Sequence, residues 1–137
     1  MILVDSSVWV DYFRGTDSQQ TDKLGSLFGT GRILVGDLIL TEVLQGFAVE
    51  HEFQTALELF KTVNLVRLGG FVLSVQAARN FQKLRTKGFI VRKTIDSLIA
   101  TKCIASEFEL LHNDLDFLPF EQYLGLKSVF PMTTNHW

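Results

Sequence analysis

Met1-Ile2-Leu3-Val4-Asp5-Ser6-Ser7-Val8-Trp9-Val10-Asp11-Tyr12-Phe13-Arg14-Gly15 opens the chain and decides how the rest of it reads. The apolar run is too short for an ordinary helix and fits a strand buried on both faces, as in a parallel sheet. Asp5 closes the run, Ser6 or Ser7 is placed to cap a helix, and Gly15 ends that helix after the stretch from Val8 to Arg14. A buried strand passing directly into a helix is half of an α/β unit.

The same alternation continues outward. A helix is expected from Ser18 to Phe28, with Leu24, Leu27 and Phe28 on one side, and Gly29-Thr30-Gly31 breaks it before a strand over Arg32-Ile33-Leu34-Val35. Asp37 can cap a helix carrying Leu40, Val43, Leu44 and Phe47, and Phe53, Leu57 and Phe60 recur at helical spacing within residues 51 to 63. Leu65 to Leu68 reads as a strand. From Ser74 to Lys87 a stripe of Ala77, Ala78, Phe81 and Leu84 predicts a helix that Gly88 stops. Thr94 can cap the next, whose stripe of Ile95, Leu98, Ile99 and Ile104 leaves Asp96 projecting at its start. Phe108 to Leu111 and Leu126 to Phe130 read as the last strands. The expectation is one α/β domain over residues 1–131, a mainly parallel central sheet flanked by helices, and a loose C-terminal tail at 132–137 that includes His136.

A chain of 137 residues with 47% hydrophobic residues and a mean hydropathy of +0.20 can build a full core, which excludes a disordered protein. No apolar stretch approaches the roughly 18 residues that span a bilayer, and the start lacks the basic residues of a secretory signal, so a cytoplasmic protein without membrane contact is expected. Cys103 is the only cysteine, so no disulfide forms within the chain, and its setting in Lys102-Cys103-Ile104-Ala105 fits a small buried hydrophobe.

Four carboxylates border the apolar runs. Asp5 closes the first, Glu42 follows Asp37-Leu38-Ile39-Leu40-Thr41, Asp96 lies inside Ile95-Asp96-Ser97-Leu98-Ile99-Ala100, and Asp114 ends Phe108-Glu109-Leu110-Leu111-His112-Asn113. A carboxylate beside a core must be solvated, hydrogen-bonded or neutralised, because desolvating an unpaired charge costs several kcal/mol or more. In open α/β sheets polar chemistry collects beyond the carboxyl ends of the strands, where Asp5 and Asp114 fall. Asp96 in the first turn of its helix, and Glu42 near the start of its own, where backbone dipoles tolerate negative charge, reach the same crevice by right-handed crossovers. Separations of 37, 54 and 18 residues leave the meeting to tertiary structure. Singly, each acid also has a structural use as a cap, a surface charge, a dipole partner or a turn residue. Jointly, oxygen donors without a cysteine or histidine cluster point to Mg²⁺ or Mn²⁺ rather than zinc.

Val4-Asp5-Ser6-Ser7-Val8-Trp9-Val10-Asp11, Thr41-Glu42-Val43-Leu44-Gln45-Gly46, Thr94-Ile95-Asp96-Ser97-Leu98-Ile99-Ala100 and Leu111-His112-Asn113-Asp114-Leu115-Asp116-Phe117 resemble the four signature blocks of PIN-domain nucleases, in order and over nearly the whole chain. The VapC-type toxin branch is the nearest match. The resemblance implies a PIN-like fold and a Mg²⁺-dependent endoribonuclease, the toxin of a toxin-antitoxin pair, leaving a 5′-phosphate and a 3′-hydroxyl. It puts Asp5, Glu42, Asp96 and Asp114 in the catalytic metal-site positions, with Asp116 auxiliary and Ser6 either bonding in the site or capping the helix. It also implies a small cognate antitoxin lying across the site, and a homodimer. His112 is tempting as a general base, but its place on a strand favours a structural role.

The net charge of −2 conceals an asymmetry: residues 79–102 hold seven of the thirteen basic residues and a single acid, Asp96, for a local charge of +6, against −8 elsewhere. Alone, such a run is a solvated helix face. Beside an acidic metal centre, Arg85, Lys87, Arg92 and Lys93 would hold an RNA backbone without reading bases, or meet a partner protein. Twelve phenylalanines also leave apolar surface for a partner helix. The rival readings are a catalytically silent module on the same fold, an RNA-processing nuclease without an antitoxin, and Mg²⁺-dependent phosphotransfer. Asp5-Ser6-Ser7 lacks the second aspartate the last would need.

Overall fold

A computed structural model describes residues 1–132; the expected tail from residue 133 onward, with His136, lies outside the described residues. Four short strands, β1 (Ile2–Val4), β2 (Ile33–Gly36), β3 (Asn64–Val66) and β4 (Glu109–Leu111), form one sheet in the order β3-β2-β1-β4, every pairing parallel. Helices α1 (Ser6–Phe13), α2 (Gln19–Leu27), α3 (Asp37–Gln45), α4 (Glu50–Phe60), α5 (Phe71–Thr86), α6 (Thr94–Ser106) and α7 (Leu118–Tyr123) make the connections, with one 3₁₀ turn at Leu115–Phe117. This is the expected α/β domain with a parallel central sheet.

Each residue of β1 and β2 is buried, as strands covered on both faces require. Opposite one another stand Leu3 and Leu34 on one side, and Leu3 and Leu110 on the other. The aromatic surplus is spent largely inside: Trp9 packs 4.6 Å from Phe60 between ring centroids, and Phe13 and Phe28 close around it. Phe117 in the 3₁₀ turn and Phe120 in α7 are fully buried. Among the described residues Phe71, at 85% exposure, and Tyr123 are exposed.

The helix starts differ from expectation in a consistent way. Asp5, not a serine, caps α1, its carboxylate accepting from the Ser7 amide. Asp37 lies inside α3, where its Oδ1 accepts from Leu38 N and, at 3.0 Å, from Leu68 N, while Gly36 is the cap residue. Lys93 rather than Thr94 precedes α6 and makes no capping bond. Helix α5 begins three residues before Ser74, at Phe71, and stops at Thr86, just before Gly88, whose φ of +89° suits glycine. The strand expected over 126–130 reduces to one bridge, Ser128 to Leu110, because β4 is only three residues long and offers no longer edge.

Helix α6 is the largest departure. Asp96, Ser97, Ile99, Ala100, Thr101 and Cys103 are all buried, so Asp96 does not project to solvent from the helix start. It lies between α5, β4 and the Leu115–Phe117 turn, and Asn80 of α5 donates to Thr101 Oγ1 at 2.9 Å.

Candidate metal centre

Parallel strands bring their carboxyl ends to one edge, and the acids gather there. Asp5 follows β1 and continues its pairing, with Asp5 N donating to Leu111 O at 2.9 Å. Asp114 follows β4, Glu42 rides on α3 after β2, and Asp96 opens α6, whose first turn sits at this edge because the helix leads back into β4. All four line one cavity of about 360 Å³, together with Lys93 and Asn113. A somewhat larger groove of about 390 Å³ between α5 and α6 contains Phe81 and Leu98 but no carboxylate, so the acid-based chemistry belongs to the first cavity.

The tightest grouping is Asp96, Asp114 and Asp116, which each offer a carboxylate oxygen within 4.8 Å of the others. Asp116, expected to be auxiliary, stands as near as the principal acids. Asp5 is engaged locally: its Oδ2 accepts from Ser7 Oγ at 2.6 Å and Ser7 N at 3.2 Å. Glu42 lines the cavity from the sixth position of α3, beyond the first turn, so the helix dipole that seemed to favour it there does little.

Burial governs the charges. Asp5 is 3% exposed, and desolvation raises its carboxyl, against which the Ser7 bonds work. Asp96, also 3% exposed, is pushed up to about 7, chiefly by desolvation, with Lys93 opposing and Asp5 and Asp114 adding to the shift. Glu42 is raised by its partial burial and by Asp5, opposed by Lys93 and the neighbouring Ser6 hydroxyl. Two oxygens here, Asp96 Oδ2 and Glu42 Oε1, are buried and have no hydrogen-bond partner. Carboxylates that converge, repel and leave acceptors unpaired fit a hard divalent cation: oxygen-only donors suit Mg²⁺ or Mn²⁺, and the unpaired oxygens are vacant lone pairs aimed at one space.

The cations of the loop before α6 turn inward. Arg92 Nη2 donates to Asp116 Oδ1 at 2.7 Å, and Lys93 Nζ lies 3.6 Å from Asp114 Oδ2 and 4.0 Å from Asp96 Oδ2. Arg85 lies over the Phe81 ring and Lys87 over Tyr123.

Ser7, expected only as a candidate helix cap, and Asn113 were not expected in the site, and both contribute. Ser7 Oγ joins the two central loops by donating to Asp5 and accepting from Asn113 N at 3.2 Å. The signal was present: an aspartate cap places its acceptor over the residue two positions on. His112 has the structural role favoured for it. It is buried, its Nδ1 accepts from Asp114 N at 3.2 Å, and its Nε2 faces Glu121 Oε1 at 2.8 Å. With both nitrogens engaged it has none to offer a water.

The family model of the PIN domain matches residues 2–121, and the chain belongs to that family. Within it, the chain is 30% identical over 119 residues to the VapC ribonuclease Mb1587 of Mycobacterium bovis and to ribonuclease VapC11 of Mycobacterium tuberculosis, covering 85% of this chain and 89% of each relative, which sets it in the VapC-type branch. Among solved structures it resembles DNA-bound VapBC from Salmonella typhimurium (TM-score 0.73, 15% identity, 93% of this chain and 95% of that one). It also resembles VapBC2 from Rickettsia felis bound to a promoter DNA fragment (TM-score 0.71, 19% identity, 93% and 97%). A third likeness is to VapC20 of Mycobacterium tuberculosis, a sarcin-ricin loop cleaving toxin (TM-score 0.66, 16% identity, 96% and 100%).

Proposed function

We propose that this protein is a Mg²⁺-dependent endoribonuclease, with Mn²⁺ as a substitute, acting in the cytoplasm as the toxin of a toxin-antitoxin pair. The observation that carries the reading is the convergence of Asp5, Glu42, Asp96 and Asp114 on one cavity, with Asp116 beside Asp96 and Asp114 and two buried carboxylate oxygens left unpaired. A divalent cation bound there supplies a Lewis acid for the phosphodiester and makes a coordinated water more acidic. Asp96 and Asp114 are assigned as ligands with Asp116 beside them. Glu42 is a ligand or positions water, Ser6 lies beside it, and Asp5 is a ligand that Ser7 and the α1 cap hold in place. Arg92 and Lys93 stand beside Asp116 and Asp114, and with Arg85 and Lys87 they would neutralise RNA phosphates.

The antitoxin reading is supported by the VapBC likenesses and by a second groove of about 320 Å³, lined by Phe13, Val43 and Phe47, that shares Val10 and Glu42 with the acidic cavity. A short amphipathic segment laid there reaches the carboxylates directly. Exposed Leu38, Phe71, Val72 and Val75 are consistent with a homodimer.

The test is direct. Purified protein is expected to cleave structured RNA with Mg²⁺ or Mn²⁺ and to stop on addition of EDTA; cleavage that persists under chelation overturns the metal-dependent reading.

A further inference from the structure

We propose that Lys93 is a counter-ion supplied by the protein itself to this centre: its ammonium holds Asp96 and Asp114 together until a cation engages them, and then turns to the RNA phosphate. The inference rests on the functional reading above and assigns it a positioning residue.

Lys93 stands in extended backbone (φ −121°, ψ 124°) just before α6, so its side chain leaves the helix end rather than packing along it. Its Nζ is 3.6 Å from Asp114 Oδ2 and 4.0 Å from Asp96 Oδ2, and these two acids belong to different segments, the exit of β4 and the first turn of α6. One ammonium therefore bridges two elements, and Asp96 Oδ2, buried and without a hydrogen-bond partner, has only the charge of Lys93 facing it. The contacts are ion pairs rather than short hydrogen bonds, so Lys93 neutralises without occupying the lone pairs. Arg92, one residue earlier, is different: it bonds Asp116 Oδ1 at 2.7 Å.

Mobility of the head group follows from its exposure. The Lys93 side chain is 56% exposed while that of Asp96 is 4% exposed, so the ammonium can leave without unpacking anything, whereas the carboxylate cannot. A divalent ion that engages Asp96 and Asp114 takes the carboxylates Lys93 now faces and repels the ammonium beside them, and Lys93, being the exposed partner, is the one that moves. An expelled ammonium at the rim of the cavity is positioned for a phosphate. Lys93 thus competes with metal and cooperates with RNA, two roles that a merely structural lysine would not combine.

The full-length protein, Lys93→Met and Lys93→Arg should be titrated with Mn²⁺ alone, in the absence of RNA, by calorimetry or by the loss of the free-ion paramagnetic resonance signal. Methionine keeps the stem and removes the charge. Lys93→Met is expected to bind Mn²⁺ roughly threefold to tenfold more tightly than the parent, as the removal of a half-exposed competing charge implies. In chelator its melting temperature should fall below the parent's, and at saturating Mn²⁺ its RNA cleavage should slow by about tenfold or more, the range for a lost charged phosphate contact. Lys93→Arg should restore all three. Equal or weaker Mn²⁺ binding by Lys93→Met overturns the proposal while leaving the metal centre standing. Absence of Mn²⁺ binding by both parent and variant overturns the metal centre, and the proposal with it.

Discussion

Asp96 concentrates the electrostatics of this molecule at a single residue. Its carboxyl, ordinarily near 3.8, is raised by burial to about 7, so without metal the folded protein holds a proton that the unfolded chain has already released. The sign follows: the contribution of this group to stability is complete below about pH 3.8 and is lost as pH rises through about 7. In EDTA the parent should therefore lose up to roughly 4 kcal/mol between pH 4 and pH 8 through this group. Asp96→Asn removes the ionisation, so its stability should depend less on pH and exceed the parent's at pH 8, while RNA cleavage disappears. Urea unfolding at pH 5 and pH 8 reads the difference; parallel pH dependence in the two proteins would refute it. The expectation that Asp96 projects from the start of its helix gives way, because the side chain is buried. The supporting residues follow the same logic: Ser7 holds Asp5, and His112 holds the Asp114 amide.

At the scale of elements, the position of Glu42 depends on how β2 passes into α3. Gly36 ends the strand, and a Cβ placed there would lie 2.6 Å from Leu68 Cγ. Leu68 is fully buried and cannot retreat freely, since its amide is tied to Asp37 Oδ1 at 3.0 Å. Gly36→Ala is expected to cost about 1–3 kcal/mol, the range for overpacking a filled site, and to displace α3 with Glu42 on it. Chemical denaturation measures the first effect and reduced Mn²⁺ affinity the second; an unperturbed variant would show that β3 and its loop yield easily. Helix α6 teaches a related lesson. Its residues carry no single apolar stripe because it is packed on nearly every side, and a helix buried all round shows little amphipathic pattern.

Over the whole molecule, charge is segregated: a chain of net −2 keeps +6 on residues 79–102, next to an acidic cavity. Among the described residues Arg85 and Lys87 lie over Phe81 and Tyr123 rather than pairing with an acid, so their charge is available to a polyanion. Replacing both with alanine is expected to weaken RNA binding across sequences and to lower the slope of log K against log salt by about 0.7 per lost phosphate contact. Filter binding between 50 and 200 mM salt tests this, and an unchanged slope would assign the run to a protein partner instead.

What the sequence determined by itself was the alternation of buried strands and helices, and the identity and order of the four acids. Hydrophobic runs and the chemistry of caps and glycines are local properties, and the block order Asp5, Glu42, Asp96, Asp114 is readable without coordinates. Tertiary structure alone decided that Asp116 stands within 4.8 Å of Asp96 and Asp114, that Asp96 is buried, that Ser7 bridges two loops, and that Lys93 points inward. The physical reason is distance along the chain. Groups up to 106 residues apart meet only because parallel strands bring their carboxyl ends to one edge, and burial there turns ordinary carboxylates into a site that demands a counter-charge.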